Sequence, residues 1–288
     1  MKVGVKTDAC KACADQYGVS EKLAKLEIEV KQVGKPLAEF LNQKKTGYII
    51  DYKKKLMKTI GLIGGMSWES SIVYYELINK KANELLGGFH SCQSLMYTVD
   101  FDQIVKLQHE EKWEELDVIM ADAAKRLEQG GADIVVLCTN TMHLCSQAIT
   151  DSISIPFLHI AEAAGMEIRK RSLKKVGLLG TKFTMGKDFY KKVLADKFGI
   201  EVIIPNEQER ENVHKIIYGE LVHGVIKDES REVYKSIIKN LEKSGAEGVI
   251  LGCTEIPMLI SASDVNIPVF DTTRLHAEKA VEWVVNNQ

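Results

Sequence analysis

The second half of this chain repeats the first. Ile60-Gly61-Leu62-Ile63-Gly64 matches Val176-Gly177-Leu178-Leu179-Gly180 at an offset of 116 residues. Gly131-Ala132-Asp133-Ile134-Val135-Val136-Leu137-Cys138-Thr139 matches Gly245-Ala246-Glu247-Gly248-Val249-Ile250-Leu251-Gly252-Cys253 at 114, and Ile155-Pro156-Phe157-Leu158-His159 matches Ile267-Pro268-Val269-Phe270-Asp271 at 112. Matches in one order with a slowly drifting offset indicate a duplicated unit of about 110 residues. Each half must then reach the same fold.

That fold is α/β. Short β-branched and Leu-rich runs end in glycine and are followed by helix-length amphipathic segments, the pattern of βαβ units on a parallel sheet. Leu116, Ile119, Met120, Ala123 and Leu127 form one apolar helical face leading into Gly131, and Val233, Ile237, Ile238 and Leu241 do the same before Gly245. The reading is two similar doubly wound lobes with a cleft between them: a first lobe of 57–163 plus 274–288 and a second of 164–273. The last helix, from about Arg274, is expected to fold back onto the first lobe. Ligands in such sheets bind beyond the carboxyl ends of the strands, so the residues that end the repeated strands are the candidates.

Composition removes other classes. Lys and Arg number 38 against 40 Asp and Glu, a net charge of −2 with no basic tract, which argues against nucleic acid or an anionic membrane as partner. No apolar run approaches the roughly 20 residues of a membrane span, and the expected location is cytoplasmic. The six cysteines, at 10, 13, 92, 138, 145 and 253, are too sparse for a disulfide framework and read as free thiols. Residues 1–56 stand apart as an extension: a fusion remnant, or the result of a mis-assigned start with Met57 as a second one. Its Cys10-x-x-Cys13 could be a redox pair or half a zinc site, but no second such pair completes four ligands.

The first strand-end, Gly64-Gly65-Met66-Ser67-Trp68-Glu69, lacks the Gly-x-Gly-x-x-Gly dinucleotide spacing, and Ser67 suits a helix N-cap or a substrate contact. The second, Cys138-Thr139-Asn140-Thr141-Met142-His143, and its mate Cys253-Thr254-Glu255-Ile256-Pro257 follow buried strands and carry hydroxyls, thiols, an amide and an acid. The ungapped repeat pairs Thr139, not Cys138, with Cys253. Cys92 and Cys145 read as buried filler. His143 either orients the site or is a satisfied helix histidine. The histidines show no metal-ligand spacing, so no metal is expected.

With these motifs on the page, Met57 to about Asn287 resembles the aspartate/glutamate racemase family of cofactor-independent enzymes, closest to its broad-specificity amino-acid branch. The resemblance rests on GLIGGMSWESS at 61–71, VLCTNTMH at 136–143, LLGTKFTM at 178–185, GCTEIP at 252–257 and PVFDT at 268–272. It implies two flavodoxin-like lobes, a homodimer, no cofactor such as pyridoxal phosphate, and a free amino acid, aspartate, glutamate or a wider range, as the small-molecule partner. Its two acid/base residues are usually cysteines. Cys253 matches the second, while Thr139 stands where many members have the first and Cys138 is the alternative thiol on that side. The resemblance further implies substrate contacts at Ser67, Gln108, Asn140, Thr141, Thr181 and Thr254. The stretch Thr98-Val99-Asp100-Phe101-Asp102-Gln103 lacks the arginine that reads a side-chain carboxylate in aspartate-specific members. A threonine hydroxyl is a far poorer base than a thiol of pKa about 8.5, so the expected enzyme is asymmetric, with Cys253 abstracting as thiolate and Thr139 donating. A single-thiol decarboxylase or cis–trans isomerase of small dicarboxylic acids, and a non-catalytic binder of a small acid, are the rival readings of this frame.

Overall fold

The runs read as strands and helices assemble into two four-stranded parallel sheets. The computed structural model describes residues 57–287 together with two three-residue strands of the leading segment, β1 (Asp8–Cys10) and β2 (Glu29–Lys31), which pair in parallel. The chain divides into two compact units, Met1–Lys54 and Lys55–Gln288. Cys13, and with it the Cys10-x-x-Cys13 motif as a redox or zinc element, lies outside the described residues.

In the larger unit the first sheet runs through β3 (Ile60–Gly64), α1 (Trp68–Leu86), β4 (Ser94–Thr98), α2 (Phe101–His109), α3 (Trp113–Gln129), β5 (Ile134–Leu137), α4 (Ser146–Ser152) and β6 (Phe157–Leu158). After α5 (Ile160–Lys170) come β7 (Lys175–Gly180), α6 (Lys182–Gly186), α7 (Asp188–Phe198), β8 (Glu201–Ile203), α8 (Glu207–Gly219), α9 (Asp228–Lys243), β9 (Val249–Gly252), α10 (Ile256–Leu259), β10 (Val269–Asp271) and α11 (Thr272–Asn286). The strand orders are β4-β3-β5-β6 and β8-β7-β9-β10, so the two lobes share one topology.

The repeat extends to register. Gly61 pairs with Val135 and Gly177 with Val249, then Val135 with Phe157 and Val249 with Val269, each pair related to its mate by the sequence offsets. Gly131 and Gly245 turn the chain from helix into strand at the same φ of 94°, a left-handed conformation that favours glycine. Asp133 and Glu247, just beyond, each use a side-chain oxygen to accept the backbone N–H of the neighbouring strand's first turn, at Thr59 and Lys175.

Alternation along each strand divides its side chains between two helical layers. Ile63, Val135 and Leu137 face α2, α3 and α4, where Leu116, Met120 and Leu127 are buried as the helical spacing predicts. Ile60, Leu62, Ile134, Val136 and Cys138 face α1 and α11, and Ala277, Ala280, Val281 and Val284 of α11 pack there, so the last helix does return to the first sheet. In the second lobe Val249, Leu251 and Cys253 face α8 and α9, while Val176, Leu178 and Ile250 face α7 and α5. The packing of α5 on this second core begins at Ile160. No helix among the described residues is long and apolar enough to cross a membrane.

Candidate active site

Parallel strands expose free backbone groups at their carboxyl ends, and four such ends converge here. The ends of β3, β5, β7 and β9 contribute Met66 and Ser67, Thr139 to Thr141, Thr181, and Gly252 to Glu255 to one cavity between the sheets; Gln108 completes the polar lining. Thus Ser67, Gln108, Thr139, Asn140, Thr141, Thr181, Cys253 and Thr254 all lie on a single cleft.

Strand alternation explains which residue of each pair reaches it. Cys138 continues the face of Ile134 and Val136 and is fully buried against α1 and α11, outside the cavity lining. Thr139 follows at a turn, its N–H bonded to the Leu137 carbonyl at 2.9 Å, and lines the cavity as Cys253 does beside the end of β9. Residues equivalent in the repeat thus line one cavity. This geometry places Cys138 in the core, and burial pushes its thiol pKa up.

Local hydrogen bonds fix the lining. Ser67 caps α1, its Oγ accepting from the Ser70 N–H at 3.4 Å, while the Ser70 and Ser71 hydroxyls donate back to its carbonyl at 2.9 and 3.1 Å. Gly65 at φ 97° brings the backbone so close to β4 that a Cβ would stand 2.3 Å from the Val99 carbonyl. Thr181 caps α6, and its hydroxyl lies 3.1 Å from that of Thr141, joining the lobes. Asn140 donates to the Thr272 hydroxyl at 3.1 Å, which donates on to the Leu251 carbonyl at 2.8 Å. Among the described residues the buried Asn140 Oδ1 has no hydrogen-bond partner. Gln108 Nε2 donates to Met142 Sδ at 3.0 Å.

The thiol departs from the expected thiolate. Burial and then the Glu255 carboxylate raise the Cys253 pKa well above its ordinary value, outweighing the backbone N–H groups of Thr254 and Glu255 that lower it. Cys253 therefore rests as a neutral thiol, its S–H donating to Glu255 Oε2 at 2.9 Å; the Thr254 hydroxyl donates to the same oxygen at 2.7 Å. Glu255 was legible only as a letter of the GCTE motif, without a role. Phe101, Tyr218 and Val222 also line the cavity, and nothing in the repeat marks them. Tyr218 is pushed up to about 12, by burial first, with Cys253 and Glu255 nearby adding to it. No group of three or more His, Cys, Asp or Glu side chains among the described residues is placed to hold a metal ion.

A two-lobed cleft built from duplicated strand-ends, with a thiol and a hydroxyl at equivalent positions, narrows the possible families, and comparison decides among them. The family model described as Asp/Glu/Hydantoin racemase matches residues 63–280. The chain belongs to that family. It is 23% identical over 235 residues to the broad-specificity amino-acid racemase RacX of Bacillus subtilis (strain 168), covering 77% of this chain and 96% of that one. A Yersinia pestis structure provisionally named an Asp/Glu racemase superposes with a TM-score of 0.76 at 46% identity, over 80% of this chain and all of that one (100%). An aspartate racemase homologue from Pyrococcus horikoshii OT3 gives 0.71 at 38%, over 80% of this chain and 100% of its own. Membership sets the activity class: the chain is a racemase, an isomerase that inverts a stereocentre.

Proposed function

We propose that this racemase inverts the α-carbon of a free amino acid by proton transfer between Cys253 on one face and Thr139 on the other. The observation that carries the reading is that these repeat-equivalent residues line one cavity at the ends of β5 and β9. The α-carboxylate meets the hydroxyls of Ser67, Thr141, Thr181 and Thr254, and the ammonium donates to Asn140 Oδ1. Glu255 accepts the Cys253 S–H proton as the sulfur takes the substrate's α-proton, leaving a carbanion delocalised into the carboxylate. The Thr139 hydroxyl then protonates the opposite face and is replenished from water, and the hydroxide so formed is neutralised by the proton that Glu255 releases to solvent.

Enantiomers have equal free energy, so no arrangement of bases drives the reaction one way at equilibrium; kcat/KM is the same in both directions. Asymmetry surfaces instead in isotope exchange. The enantiomer that Cys253 deprotonates loses its α-proton to solvent and recovers the original configuration more often than it inverts, because the thiol returns a proton more readily than the threonine supplies one.

Free thiols at Cys92, Cys138, Cys145 and Cys253 support a cytoplasmic setting, and the exposed apolar strip Trp68, Ile72, Tyr75 and Met96 supports a homodimer. The test is proton NMR in D₂O without pyridoxal phosphate, following the α-proton of separate L and D forms of aspartate, glutamate and homoserine. Cys253-dependent washout with appearance of the opposite enantiomer is expected. No exchange with any amino acid would overturn the reading.

A further inference from the structure

The weaker of the two proton-transfer groups has the more elaborate mounting. Thr139 sits two residues beyond β5, its N–H bonded to the Leu137 carbonyl at 2.9 Å. Among the described residues its hydroxyl takes no hydrogen bond that would aim it, so its direction is set by its backbone. That backbone is held by His143. The ring Nδ1 lies 2.8 Å from the Thr139 carbonyl, and Nε2 lies 3.1 Å from the backbone nitrogen of Ile160, the first residue of α5. An N–H only donates, so Nε2 is the acceptor, and the ring proton stands on Nδ1 and is given to the Thr139 carbonyl. Burial, with His159 and His276 packed on the ring, keeps His143 neutral and this tautomer in place.

Among the described residues the second lobe has no counterpart. At the repeat offset of 114 the residue equivalent to His143 is Pro257, which carries no side-chain donor. There, among the described residues, the Cys253 carbonyl accepts only a local backbone bond, from the Ile256 N–H at 3.3 Å. Duplicated lobes thus differ in their anchoring at the position where they differ in chemistry. A thiol with its own carboxylate acceptor tolerates some freedom, whereas a hydroxyl that is a poor acid must be well aligned to act at all.

Resting on the two-faced reading above, we propose that His143 is a positioning residue that holds the Thr139 backbone so that its hydroxyl addresses the substrate's α-carbon, and serves that face alone. The chemistry itself stays with Thr139, Cys253 and Glu255.

The test compares, in D₂O with the full chain, inversion and washout-with-retention for the enantiomer that Cys253 deprotonates. Both are read on the same molecules, so their ratio is independent of how much of a variant is folded. His143→Gln carries its amide at the reach of Nε2 and loses the contact to Thr139; the expected result is a fall of about 10- to 100-fold in the ratio, washout being little changed. His143→Asn places a donor near Nδ1 and is expected to stay within about threefold of the parent, since the contact that matters is kept. An unchanged ratio in His143→Gln, or an equal fall for both variants, would overturn the positioning role while leaving the racemase reading intact. A parent enzyme that exchanges no amino acid would overturn that reading and this inference with it.

Discussion

Cys253 Sγ donates a hydrogen bond to Glu255 Oε2 across 2.9 Å, so the carboxylate beside the thiol is both its hydrogen-bond acceptor and a cause of its raised pKa. The two roles separate in Glu255→Gln. Removing the carboxylate removes the acceptor, and kcat is expected to fall by about 10²- to 10⁴-fold, the range of one general acid/base group. Removing the negative charge also lowers the thiol pKa, so alkylation of Cys253 by iodoacetamide should begin at lower pH than in the parent. Slower turnover with a more reactive thiol is the expected signature; a thiol whose alkylation profile does not move would show that Glu255 exerts no field on it.

The pairing of Thr139 with Cys253 leads to a second expectation. Thr139→Ala should still wash the α-proton out of the enantiomer facing Cys253 while losing inversion. Thr139→Cys supplies a thiol at the repeat-equivalent position, and washout from the opposite enantiomer should rise by about tenfold or more, within the range of one acid/base group. Chiral chromatography alongside proton NMR distinguishes these outcomes. Equal washout of both enantiomers in the parent would remove the asymmetry on which both rest.

The lobes and most of the lining were legible in the sequence because the duplication writes them twice. Gly61 and Gly177 recur because a Cβ would run into Leu127 or Leu241 of the equivalent helix, at 3.1 and 2.8 Å, and the offset that aligns those contacts also aligns Thr139 with Cys253. Alternation then separates Thr139 from Cys138, a distinction no composition or spacing argument makes with the same force. Tyr218 and Val222 were not legible: they reach the cavity from α8 and the turn after it, where no motif repeats. Nor was the protonation of Cys253, which depends on burial and on the rotamer of Glu255 rather than on either residue type.

Cys138 offers a direct check on that alternation. Its side chain is fully buried among Tyr74, Ile134, Val136 and Ala277, so Cys138→Ala should cost about 1 kcal/mol of stability through the small cavity it leaves. Inversion and washout should be unchanged. Urea denaturation and the exchange assay measure the two separately; loss of inversion at near-parental stability would return Cys138 to the first face.

A final expectation concerns acid. His143, His159 and His276 pack together, with ring centroids of His143 lying 4.6 Å from His159 and 5.6 Å from His276. The Tyr74 hydroxyl lies 2.8 Å from His276 Nδ1, and the opposite nitrogen donates to the Leu158 carbonyl at 2.8 Å. Burial lowers His159 to about 3 and His276 to about 4, and holds His143 well below its ordinary value. Folded-state values below the unfolded value of about 6.5 mean that in mild acid the unfolded chain binds protons the folded one refuses. Stability from these groups is therefore full above about pH 6.5 and declines as pH falls, by roughly 1.4 kcal/mol per pH unit, or about 2 kcal/mol by pH 5, for each of His159 and His276, with His143 acting in the same direction. His214, also lowered, acts in the same direction, and the buried Asp271 carboxyl, raised by burial, acts against it. Unfolding free energies from urea denaturation at pH 7.5 and 5 should differ by several kcal/mol on this basis. His276→Gln, which keeps an amide for Leu158 but does not titrate, should reduce the slope by close to one proton, and a slope identical to the parent's would show that His276 is not among the groups responsible.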